Sequence, residues 1–112
     1  MVWAPDPAQP ATGRDDCQVL AAIATDQRLY VLAEAPGLRH GGEWSPEQTW
    51  FLRVTSPDGA MTFRHGTSGE SDKERTSIHG VYLIDAPPGD TLDVTLEQGN
   101  TPVHQGRLTR VV

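Results

Sequence analysis

A chain of 112 residues, 37% of them hydrophobic and only 6% aromatic, is sized for one domain with a thin core, and its 11 glycines and 9 prolines mark it as rich in turns. A formal net charge of −6 argues against nucleic acid as a partner, because affinity for a phosphate backbone comes from Lys and Arg displacing counterions. The single cysteine, Cys17, excludes an internal disulfide and a Cys-rich zinc centre, and no run approaches the roughly 18 apolar residues of a membrane-spanning helix.

The first 14 residues hold Pro5, Pro7, Pro10 and Gly13. Proline lacks the N–H that a helix interior or a central strand needs, so residues 1–14 read as a Pro-rich linker or tether and residues 15–112 as a single β-sandwich domain. Trp3 is the exception within the tether, an indole expected to pack back onto the domain. The segment has neither the basic nor the apolar stretch of a signal peptide, so the sequence assigns no compartment and no membrane.

Residues 17–24 and 28–34 are expected as two strands joined by Thr25, Asp26 and Gln27, with Cys17, Val19, Ala21 and Ile23 facing the core. On that pattern Cys17 is a packed thiol rather than a nucleophile. The alternative for residues 17–24 is a short Ala-rich helix capped by Asp15 or Asp16. Alternation in Leu29, Tyr30, Val31 and Leu32 favours strands. A long connection, residues 35–48, follows without an apolar period and carries His40, Glu43 and Trp44.

The strongest local signal is a hairpin. Trp50, Leu52 and Val54 alternate with Phe51, Arg53 and Thr55, and Met61 and Phe63 alternate with Thr62 and Arg64. Between them Ser56, Pro57, Asp58 and Gly59 fit a type I turn closed by a glycine bulge. A second long connection, residues 66–75, carries Glu70 and Asp72. Residues 76–85 are apolar on both faces, with Ile78, Tyr82 and Ile84 on one and Val81 and Leu83 on the other, which predicts a central strand.

Residues 91–97 place Leu92, Val94 and Leu96 inward, and Gly99–Asn100 supplies a two-residue turn. In the last strand, residues 101–111, Pro102 predicts an edge position and Gly106 a bulge. Seven short strands without an amphipathic helix indicate an all-β fold, an antiparallel seven-stranded β-sandwich of immunoglobulin-like architecture.

If each strand runs the length of the sandwich, both long connections, the Gly99–Asn100 turn and the entry at Asp15 and Asp16 share one pole. Long irregular connections in small domains are commonly functional, so this pole is the expected binding end, with Trp44, His40, Glu43, Glu70, Asp72 and Asn100 as binding residues. His40, His65, His79 and His104 fall at or near the same end, and imidazoles suit Zn²⁺ or Cu²⁺ while the acidic side chains suit Ca²⁺. Ligand spacing rather than ligand number makes a metal motif specific, and no two of these histidines stand at i,i+2 or i,i+4. No metal or other cofactor is therefore expected.

No G-x-S-x-G, H-E-x-x-H, P-loop, G-x-G-x-x-G or C-x-x-C motif is present, and the chain reads as a binder before an enzyme. The leading expectation is a protein-interaction or assembly module, binding a protein partner or another copy of itself through the long-loop pole or an edge strand. A carbohydrate-binding module using Trp44 is the alternative, and a small metal protein or enzyme built on the four histidines the third. An apolar patch at an unpaired edge favours the first, an exposed Trp44 among polar groups the second, and converging imidazoles the third.

Overall fold

The structure is a computed structural model that describes residues 1–37, 49–56, 75–86 and 88–112, and the backbone of residues 62–66. The described residues form nine strands, β1 (Val2–Pro5), β2 (Thr12–Gly13), β3 (Gln18–Ala24), β4 (Arg28–Pro36), β5 (Trp50–Thr55), β6 (Thr62–Gly66), β7 (Arg75–Leu83), β8 (Thr91–Gln98) and β9 (Thr101–Arg110). No helix is found among the described residues. The all-β antiparallel expectation holds, and residues 17–24 are strand rather than helix.

All the strands belong to one antiparallel sheet in the order β6-β5-β8-β9-β1-β3-β4-β7, with β2 added beside β9, and the sheet curls until it is nearly closed into a barrel. The separate pair of sheets expected of an immunoglobulin-like sandwich is replaced by this continuous path, and β1 makes it continuous. It lies between β9 and β3, pairing Trp3 with Arg110 on one side and with Ala22 on the other. Residues 1–14, which read as a tether, contribute β1 and β2 to this sheet. The prolines permit this because the first of them, Pro5, ends β1, leaving the N–H groups of Val2, Trp3 and Ala4 for the sheet.

Alternation along each strand fills the interior. Trp3, Leu29, Val31, Leu52, Val54, Ile78, Leu92, Val94, Leu96 and Leu108 are almost fully buried. Trp3 seals the short-turn end, where its indole N–H donates to the Gly89 carbonyl at 3.0 Å. Tyr82 reaches from β7, at one end of the sheet order, to donate its hydroxyl proton to the Leu52 carbonyl of β5, next to the other end, at 3.2 Å. Its ring lies over Gly80, where a methyl group would sit 2.9 Å from the ring carbons, so the glycine makes room for the tyrosine.

Three local expectations are corrected by register. In β3 the pairing with β4 slips between Val19 and Ala21, so Leu20 bulges and the inward set becomes Val19, Ala22 and Ala24, turning Ile23 outward. In β9 the slip against β8 falls at Val103, since Leu96 faces His104 while Glu97 faces Pro102, and not at the expected Gly106. Pro102 does not make β9 an edge either. β9 is paired on both sides, and Pro102 stands at its start, beyond the reach of β1 and β2.

The hairpin of β5 and β6 is present, with Thr55 opposite Thr62 and Phe51 opposite Gly66. Its turn at residues 57–61 lies outside the described residues. Gly99 adopts φ 60° in the turn between β8 and β9, the left-handed backbone that the two-residue connection needs.

Candidate binding surface

The outward faces of the two halves of the sheet differ. On the β5-β8-β9 half, outward positions carry cross-strand ion pairs: Arg107 to Asp93 at 2.7 Å and Arg53 to Glu97 at 2.8 Å. Asp93 and Arg107 are partly exposed, whereas the Glu97 carboxylate is buried beneath Arg53. A groove of about 220 Å³ lies on this face, between the chain after β1 and the β8-β9 pair, lined by Gln9, Pro10, Thr12, Asp93, Gln105 and Arg107. It is smaller than the roughly 300–1,000 Å³ of small-molecule sites and open to solvent.

On the β1-β3-β4-β7 half, the outward positions between the strand ends are mostly apolar. Register places Val2 beside Ile23, Ile23 beside Tyr30 and Tyr30 beside Val81, one unbroken row across four strands. Ala21, Leu32 and His79 form the next row, and Leu83 stands opposite Arg28. Leu20, Ile23, Leu32, Val81 and Leu83 are 38, 42, 40, 46 and 75% exposed. Charges appear only at the ends of this face, with Arg28 at the short-turn end and the Arg75–Glu34 pair, 3.0 Å apart, at the other.

This face ends at a strand edge. β7 pairs with β4 over nine consecutive positions without a bulge and has no second ladder partner among the described residues. The Ile84 N–H donates to the Gln27 carbonyl at 2.9 Å, which fixes the phase of the antiparallel ladder. Even-numbered residues of β7 turn their backbone groups to β4, so the N–H and C=O groups of Ser77, His79, Val81 and Leu83 face the seam where the curled sheet brings β6 near β7. Between Thr76 and Leu83 there is no Lys, Arg, Asp, Glu or Pro, the residues that ordinarily blunt an edge. β7 was expected to be central because it is apolar on both faces. It is terminal, and its second apolar face belongs to the outer patch.

At the long-loop pole, the register brings together the start of β3, the end of β4, the start of β7, the end of β8 and the start of β9. Gly13, at φ 103°, carries the chain so close to β9 that a methyl group there would lie 2.8 Å from the His104 Cα. Arg14 chelates Asp16 at 2.7 and 2.9 Å, which holds the Asp16 carboxyl below its usual range. Arg75 donates to the Asp16 carbonyl at 3.2 Å, and one carbonyl oxygen, that of Arg14, lies 3.0 Å from His104 Nδ1 and 3.4 Å from the Cys17 N–H.

Among the described residues no group of three His, Cys, Asp or Glu side chains is placed to hold a metal ion. His104 is buried on β9, its Nε2 without a partner among the described residues, while His79 is exposed on the outer face of β7. Alternation separates them, since one points into the barrel and the other out of it. His65 pairs with Leu52 through its backbone, and its side chain lies outside the described residues, as do His40, Glu43, Trp44, Glu70 and Asp72. Asn100 is exposed in the turn after β8. The outer apolar rows were missed at the sequence level, although the two-faced pattern of residues 76–85 carried their signal.

Cys17 is buried at this pole, and burial, then the neighbouring Asp16 charge, pushes its thiol up to about 11. Burial likewise pushes the Tyr82 hydroxyl up to about 12. Starting from ordinary values of 9.0 and 10.0, the unfolded chain releases these protons at lower pH than the folded chain does. Their contribution to stability is therefore fully present below about pH 9 and is lost as pH rises through about 11 and 12. Melting temperatures measured from pH 7 upward are expected to decline above pH 9, and the decline should be shallower in Cys17→Ala/Tyr82→Phe. An unchanged slope in that double variant excludes these two groups as its cause.

Compared with models of known protein families, with curated proteins and with solved structures, the chain matches none. No helix among the described residues is long and apolar enough to cross a membrane.

Proposed function

We propose that this chain is a non-enzymatic protein-interaction module whose binding surface is the outer face of β3, β4 and β7 as far as the β7 edge. The observation that carries the reading is the contrast between the two halves of one sheet. Outward positions hold ion pairs on β5, β8 and β9 and exposed Ile, Leu and Val on β3, β4 and β7. Exposing such a row to water is unfavourable by about 25 cal/mol per Å², so a persistent apolar face bordered by charge marks a surface that is covered in use. A protein supplies a cover of this shape, broad and gently curved, whereas a small ligand needs a concavity.

A photo-crosslinking residue placed at position 32, on this face, and another at position 105, on the polar face, test the reading. Adducts are expected from position 32, and they should disappear when Val81→Glu is added. Equal yields from the two positions, or adducts only from position 105, overturn it.

A further inference from the structure

We infer that the occupant of this face is a second copy of the same chain, docked face to face about a two-fold axis near the middle of the β3-β4-β7 sheet. The inference rests on the protein-binding reading above and adds the identity of the partner.

Charge comes first. Each molecule carries a net charge of −6, so two copies repel over most of their surfaces. The outer face of β3, β4 and β7 lies between an unlike pair, Glu34 with Arg75, and the cation Arg28, with only Leu20, Ala21, Ile23, Tyr30, Leu32, Ser77, His79, Val81 and Leu83 outward between them. It is the neutral window of an acidic molecule. Two copies meet there with the least electrostatic cost, and an apolar face complements itself, as an isologous contact requires.

Area comes second. From their fractional exposures the five exposed aliphatic side chains present on the order of 500 Å², somewhat over half of the roughly 800 Å² that each partner gives to a standard interface. The remainder falls to Ser77, His79 and the half-buried Val2 and Tyr30 around them. An apolar share slightly above half is the ordinary make-up of a protein interface.

Leu32 lies on β4, between the rows contributed by β3 and β7, so it sits near the axis and faces its own symmetry mate. Sedimentation equilibrium of the full chain, followed from about 1 to 200 µM, reads the association directly. The wild type is expected to dimerise, and Leu32→Glu, which sets two carboxylates against each other, should raise the dissociation constant at least about 10-fold without lowering the melting temperature of the monomer. Gln105→Glu adds the same charge on the opposite face and should leave the dimer unchanged. A wild type that stays monomeric at the top of the range overturns the inference, as does a Leu32→Glu dimer of undiminished affinity. A monomeric wild type whose position 32 still cross-links to a different protein removes self-association and leaves the protein-binding reading standing.

Discussion

Deleting residues 1–14 is expected to abolish cooperative folding. The segment reads as a tether, yet β1 is the strand through which the sheet passes from β9 to β3, and both neighbours would lose a ladder at once. The deletion also removes the fully buried Trp3 and the β2 return that covers His104. A folded domain has about 5–15 kcal/mol of net stability, and the loss of two ladders and the largest core side chain exceeds that. The expected result is a broad, non-cooperative melt by circular dichroism and collapsed dispersion in the proton–nitrogen spectrum. A sharp transition within a few degrees of the full chain's would return residues 1–14 to the role of tether.

The second large effect isolates one side chain of that strand. Trp3→Ala should cost about 3–5 kcal/mol, because the site is closed from solvent and the cavity it leaves is walled by the sheet on both sides. Trp3→Phe keeps most of the filling and loses the hydrogen bond to the Gly89 carbonyl, so its cost should be smaller, about 1–3 kcal/mol. Denaturant titration of the three proteins gives the order directly. A loss below about 1 kcal/mol for Trp3→Ala would show that the indole is not the plug of the short-turn end.

Much of the fold was legible where one face is buried and the other wet. β5 and β8 alternate cleanly, and Leu52, Val54, Leu92, Val94 and Leu96 point inward as their spacing requires. The failures share a physical cause, that a strand's environment is set by partners distant in sequence. Alternation from Val19 points Ile23 inward, and nothing local announces the bulge at Leu20 that reverses the phase. Pro102 and Pro5 each mark only a strand's end, yet in sequence they seemed to disqualify whole strands. β7 illustrates the ambiguity best, since an apolar second face arises either from burial between neighbours or from a surface kept apolar for a partner.

The candidate site was legible in the same uneven way. The shared pole follows from loop alternation, and the described strand ends agree with it. The apolar outer face depends on Ile23, Leu32 and Val81 meeting across three strands, which requires the register and the bulge together. An edge strand was named as one of two binding routes. Nothing in the sequence told which strand it would be.

The position of β1 also bears on how the protein is made. The sheet consists of two sets of strands, β6-β5-β8-β9 and β3-β4-β7, and a pairing between residue 3 and residue 110 helps to join them. Closing so long a loop is entropically costly and slow compared with forming the hairpins within each set. On the ribosome β3 and β4 can pair as they emerge, but β1 has no β9 to lie against until all the strands between them have been synthesised. β1 thus precedes both of its ladder partners in synthesis yet is locked in place only once β9 has emerged, and Trp3 stays uncovered while the strands between them are made.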